Sequence, residues 1–232
     1  MTETSAPLEQ SQAEACGPSY DRLMMLEARR RTFEAINRIS AEISPGITEE
    51  QGVEITRRVL REAGMVRGWH GINVRFGVNT LNAFHVKSKP GVVLGEDDIY
   101  FIDIGPIWRD WEGDGGDTFA TGGNPEFNRI ARDVKAVFEA VQARWRQDHL
   151  TGNALYRVAV EESERRGWLL NLDMSGHRLS EFPHAAHHKG ALADAPFIPS
   201  PGLWMLEIQI RHPTLPFGAF YEDLLLAESD EA

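Results

Sequence analysis

Apolar residues recur at helical spacing from Tyr20 to about Ser44, at Leu23, Leu26, Phe33, Ile36, Ile39 and Ile43. That period predicts an amphipathic helix, and Pro45-Gly46 stops it. Thr48 followed by Gln51 resembles a capping box and opens a second helix to about Ala63, closed by Gly64. The run GINVRFGV alternates and predicts a strand within about Trp69 to Thr80, while NTLNAFHVKSKPG reads as a loop. IYFIDIGPIW, Ile99 to Trp108, is apolar enough for a buried strand, and another strand begins near Asp114. Helical patterns return from Pro125 to about Gln147 and over LTGNALYRVAVEESERRGW, with Thr151 as cap and Gly167 as stop. LWMLEIQI and FGAFYEDLLL close the chain as strands. Strands follow strands, so the expected class is α+β with a largely antiparallel sheet. Residues 1–18 are small and polar with two prolines, and are expected to form a flexible tail before a single catalytic domain over 19–232.

Composition is that of a soluble globular protein, with 42% hydrophobic and 25% charged residues. The charge balance is more telling. Lys and Arg number 24 against 35 Asp and Glu, a formal net charge of −11. Such a surface repels phosphates, which argues against nonspecific binding to nucleic acid or to an anionic membrane. Cys16 is the single cysteine, so no intrachain disulfide is available. No apolar run approaches the roughly 18 residues of a membrane span. The first residues lack the basic and apolar regions of a secretory signal, and the expected compartment is the cytoplasm.

Asp103 sits inside IYFIDIGPIW with apolar neighbours on both sides. By period-2 alternation Glu207 shares a strand face with Leu203, Met205 and Gln209, and Glu222 shares one with Phe220 and Leu224. A buried, unpaired carboxylate costs several kcal/mol, so three of them need partners. Sheet-edge placement or pairing with Arg109 or Arg211 would serve, each arginine lying an even number of residues from an acid. Asp114 adds a fourth acid, 114 − 103 = 11 residues after Asp103, and a short antiparallel turn would bring the two together. Between the acid pairs lies the histidine-rich SGHRLSEFPHAAHH. Oxygen and imidazole donors without thiolate suit Mn²⁺, Co²⁺, Fe²⁺ or Zn²⁺. Four carboxylates carry −4, which two divalent cations would balance.

These residues, in this order, resemble the pita-bread metallopeptidases of the M24 type: methionine aminopeptidase, aminopeptidase P and prolidase. The resemblance covers about residues 20–226. It rests on Asp103 in IDIG, Asp114, His177 in SGHRLS, Glu207 in LWMLEIQI and Glu222 in FYEDLLL, with His85 upstream and His184 seven residues past His177. It implies the pita-bread fold, a curved sheet covered by helices, and two divalent metal ions, manganese first with cobalt, iron or zinc as alternatives. Asp103 would hold one ion, His177 and Glu207 the other, and Asp114 and Glu222 would bridge. A bridging hydroxide would attack the scissile carbonyl, with His85 and His184 contacting substrate and Glu207 shuttling a proton. A homodimer is a further family habit.

The surroundings depart from the family. Arg178 and Ser180 replace glycines beside His177, implying a bulkier wall there. Asp117 stands where proline-directed members carry arginine, and Phe220 where many carry another. The first reading is therefore an aminopeptidase or dipeptidase for short peptides, including Xaa-Pro substrates. A second keeps the site but gives it a small amino-acid-like metabolite, as hydrolase or lyase. A third is a catalytically dead binding module, which would be expected to have lost ligands.

Overall fold

The structure is a computed structural model that describes residues 5–230. Its helices are α1 (Ser5–Ala13), α2 (Arg22–Glu42), α3 (Glu49–Glu62), α4 (Pro125–Asp148) and α5 (Gly152–Arg165). Its strands are β1 (Arg67–Gly68), β2 (Asn73–Phe76), β3 (Asp98–Ile104), β4 (Pro106–Trp108), β5 (Trp111–Glu112), β6 (Gly115–Thr121), β7 (Leu169–Leu170), β8 (His177–Arg178), β9 (Trp204–Arg211) and β10 (Gly218–Leu224). The expected helix boundaries have physical causes. Asp21 caps α2 by accepting from Leu23 N. Thr48 and Gln51 form the reciprocal capping box of α3, and Asn124 with Pro125 starts α4.

The main sheet runs β2-β3-β6-β10-β9-β7, with β8 also on β9, and its pairings are antiparallel. A small sheet β1-β4-β5 stands beside it. Two expected strands end early. The strand expected to Thr80 stops at Phe76 and passes into a 3-10 helix over Gly77–Leu81. The strand expected from Ile99 to Trp108 breaks at Gly105, and its second part leaves for the small sheet as β4.

Alternation divides each strand between two environments. Tyr100, Ile102 and Ile104 of β3 and Val74 and Phe76 of β2 pack with α2 and α3. Leu206, Ile208 and Ile210 of β9 and Ala219 of β10 pack with α4 and α5. Each buried aliphatic side chain contributes about 1.5–3 kcal/mol, so this helix-covered face is a main source of stability. The residues between these positions, including Asp103, Glu207 and Glu222, point to the other face. Among the described residues no helix is long and apolar enough to cross a membrane.

The segment expected to be a flexible tail is, from Ser5, helix α1 followed by a docked turn; residues 1–4 lie outside the described residues. Arg178 is fully buried and explains the docking. Its guanidinium donates to Ala13 O at 3.1 Å, Glu14 O at 3.3 Å and Ala15 O at 3.2 Å, the carbonyls that the end of α1 leaves open. The Glu14 carboxylate in turn accepts from Ser200 N at 2.7 Å and Trp204 Nε1 at 2.9 Å.

Truncating Arg178 strands those carbonyls. Arg178→Ala is expected to lower stability by about 3 kcal/mol and to accelerate limited proteolysis within residues 5–18. Thermal unfolding and a protease time course check this; unchanged cleavage would show that Arg178 does not hold the segment.

Candidate metal centre

One register row carries the acids across the other face of the sheet. Asn73 faces Asp103, Asp103 faces Gly116, Gly116 faces Glu222, and Glu222 faces Glu207. Gly116 leaves the middle of this row open, because a Cβ there would lie 2.5 Å from the Phe220 ring and 3.2 Å from Glu222 Cγ. Asp114 precedes β6 and lies on the same side of the strand as Gly116 by alternation. β8 brings in His177 opposite Met205, two residues before Glu207. The five residues expected as ligands thus line one cavity of about 380 Å³.

Asp114 lies between two imidazoles. Its Oδ1 is 3.2 Å from His70 Nε2, and its Oδ2 is 3.0 Å from His177 Nε2 without hydrogen-bond alignment. His177 Nε2 is also 3.9 Å from Glu207 Oε1, while Glu207 Oε2 accepts from Gly176 N at 2.8 Å. Asn73 donates to Asp103 Oδ2 at 2.8 Å. Among the described residues no lysine or arginine forms an ion pair with Asp103, Asp114, Glu207 or Glu222. Arg109 instead lies over the Trp108 ring, and Arg211 is exposed. The basic partners considered from the sequence are therefore absent from the cavity.

Electrostatics mark the site as short of positive charge. Burial raises Asp103 to about 6, opposed by His70 and reinforced by Asp114. Burial, then the charges of Asp114, Asp103 and Glu207, push Glu222 well above the usual carboxylate range. Burial would also raise Asp114, but the facing His177 and His70 hold it well below that range. Burial disfavours a charged His177, yet Asp114 and Glu207 lift it to about 9.

These residues fit divalent cations. Asp114 Oδ2 and Glu222 Oε1 are buried without a hydrogen-bond partner. Donor atoms of Asp114, His177 and Glu222 lie within 4.8 Å of one another. His177 Nδ1 lies 2.9 Å from Arg178 O. A carbonyl only accepts, so Nδ1 carries the hydrogen and the neutral ring turns its Nε2 lone pair toward the carboxylates.

The candidate substrate-facing groups separate. His184 is buried and lines the cavity. Glu112, which the sequence reading did not single out, accepts from its Nδ1 at 2.6 Å and from its backbone N at 2.9 Å. His85 is exposed and outside the cavity lining. The cause is Arg75, which donates to Ala83 O at 3.2 Å, Phe84 O at 3.3 Å and Val86 O at 2.9 Å. That grip fixes the loop with Phe84 toward the cavity. The imidazole found there instead is His70, also missed in the sequence. Trp69 packs against His70, His177 and His184 with centroids 4.5, 5.0 and 4.8 Å away.

The bulkier wall expected from Arg178 and Ser180 does not form. Both are buried outside the cavity lining, and Arg178 reaches the α1 segment instead. Asp117 likewise pairs with Lys135 at 2.7 Å.

An antiparallel sheet with a helix-covered face carries a carboxylate–imidazole cluster on the other, a donor set that suits divalent cations. Residues 24–226 match the model of metallopeptidase family M24, and the chain belongs to that family. No curated protein matches it. Among solved structures, the prolidase from Pyrococcus horikoshii OT3 superposes with a TM-score of 0.74 at 16% identity, covering 94% of this chain and 62% of that one. The X-Pro aminopeptidase from Thermotoga maritima MSB8 gives 0.72 at 18%, covering 88% and 60%. The methionine aminopeptidase from Thermotoga maritima gives 0.70 at 16%, covering 91% and 98%. The chain thus spans only 62% and 60% of the first two relatives. The architecture is the α+β pita-bread fold.

A metal ligand must shed its proton. With His177 raised to about 9, its ring is protonated in the metal-free protein near pH 7. Titration with Mn²⁺ by calorimetry in two buffers of different ionisation enthalpy is expected to show net proton release. Apparent affinity should climb with pH through about 9 as His177 loses its proton. Flat affinity across that window would remove His177 from the ligand set.

Proposed function

We propose that this chain is a dinuclear metal-dependent aminopeptidase or dipeptidase acting on short peptides, Xaa-Pro peptides among them. The observation that carries the reading is the convergence of four carboxylates and His177 on one cavity, where Asp114 Oδ2 and Glu222 Oε1 are buried without a hydrogen-bond partner. Asp103, Asp114, His177, Glu207 and Glu222 would hold two divalent ions, manganese or a neighbour in the first transition row. Asp114 suits a bridge, since its two oxygens diverge toward different imidazoles. When bound, such ions polarise a carbonyl and activate water.

The chain's own groups supply the rest. Glu207 Oε1, the oxygen not engaged by Gly176 N–H, takes a proton from the attacking water and delivers it to the departing amine. His184 is locked by Glu112 with Nδ1 as donor, which leaves Nε2 free beside the cavity. Protonated, Nε2 donates to the substrate carbonyl as negative charge develops. Trp69 and Phe84 supply apolar surface to the cavity, and Asp173 and Lys189 line it too. Those opposite charges match a small zwitterion with free termini. They also give a specific basis for the second reading, a small amino-acid-like metabolite.

Elemental analysis of chelator-free protein is expected to show about two metal equivalents per chain. Asp114→Ala and Glu222→Ala should each abolish both metal retention and turnover of a panel of Met-x, x-Pro and other dipeptides. Turnover surviving in either variant would remove its bridging role. A panel that stays silent while creatine-like or sulfonium compounds react would move the assignment to the metabolite.

Glu112→Gln replaces one acceptor oxygen with a donor and disturbs the Nδ1–H tautomer of His184. It is expected to lower kcat about 10- to 100-fold with metal content unchanged. An unaltered kcat would remove the positioning role.

A further inference from the structure

His70 faces the cluster from the Asp103 side, where the ligand set proposed above supplies only oxygens. Its Nδ1 lies 2.7 Å from Gly71 O. That oxygen can only accept, so Nδ1 carries the hydrogen and the neutral ring presents a lone pair at Nε2. Nε2 lies 3.2 Å from Asp114 Oδ1 and 3.7 Å from Asp103 Oδ1. Donor atoms of His70, Asp103 and Asp114 fall within 4.8 Å of one another, as do those of Asp114, His177 and Glu222. Asp114 belongs to both groups, one on each side.

The chain builds a seat for this ring. β1 pairs with β4, Trp69 N donates to Gly105 O at 3.0 Å, and Trp69 Nε1 donates to Gly113 O at 3.0 Å. The imidazole then lies against the bare Cα of Gly105. A Cβ there would sit 2.1 Å from His70 Cδ2 and 2.2 Å from its Nε2. Gly105 is two residues after Asp103, so the glycine that ends β3 also admits the imidazole beside the carboxylate. His177 is held by the same device, its Nδ1 on the carbonyl of the next residue.

We propose that His70 is a sixth metal ligand, so that the ion on the Asp103 side and the ion on the His177 side each receive one imidazole. The proposal rests on the two-metal reading of the same site. Replacing an oxygen-only environment by one with an imidazole shifts that position from manganese toward zinc, cobalt or iron. The two ions would then differ less in donor type than a single-histidine set allows.

X-ray absorption on the zinc-loaded protein tests the ligand count directly. The expected average is about one imidazole per zinc, against about half of one if His177 alone ligates. His70→Ala should lower that average to about half and weaken the binding of one of two equivalents by at least about tenfold. Gly105→Ala should weaken the same equivalent by displacing the ring while leaving every proposed ligand residue in the sequence, which serves the case that His70→Ala does not fold. Wild-type protein with two zinc ions and only half an imidazole each would overturn the His70 assignment while leaving the two-metal centre standing. So would unchanged affinities in both variants. Wild-type protein that binds no metal would instead sink the two-metal reading itself.

Discussion

Mutual repulsion among four carboxylates on one sheet face is the constraint that organises this molecule. Asp103, Glu222 and Glu207 lie in one register row with Asp114 beside them, against an apolar sheet that screens charge poorly. Among the described residues no guanidinium or ammonium forms an ion pair with them. Relief comes from imidazoles whose far nitrogens are tied to backbone carbonyls. An arrangement so unfavourable alone becomes sensible as a receptor for cations, with the helix-covered face holding the strands in register.

The division of labour follows from the elements. Asp103, His177, Glu207 and Glu222 lie on strands, where pairing fixes their spacing. Trp69, Phe84, His184 and Lys189 come from turns and connections around the rim. Donor geometry is thereby insulated from changes at the rim, and the rim can vary with the substrate. Trp69 links the two groups, since its indole touches imidazoles on both sides of the cavity.

Much of the cluster was legible in the sequence because the acids violate the pattern around them. A carboxylate inside IYFIDIGPIW or LWMLEIQI is conspicuous against period-2 alternation. His70 carried no such contrast. It lies in a short Trp-His-Gly turn, and its place depends on the β1–β4 pairing and on the open Cα of Gly105. His85 looked better placed by spacing, but the turn of its loop is set by Arg75 gripping three carbonyls, a contact no local pattern encodes. Arg178 looked like bulk beside His177. Successive residues of a strand point apart, so its side chain entered the opposite layer and met α1. Glu112 escaped notice because its role exists only once His184 folds back onto it across 72 positions.

The docked N-terminal segment changes where the folding unit begins. The family match starts at residue 24, and composition invites trimming up to residue 18. An expression clone cut at either point would discard the acceptors of the Arg178 guanidinium and leave a desolvated cation one residue from His177. Boundaries borrowed from sequence similarity would thus remove the partners of a buried charge while seeming to remove only an appendage.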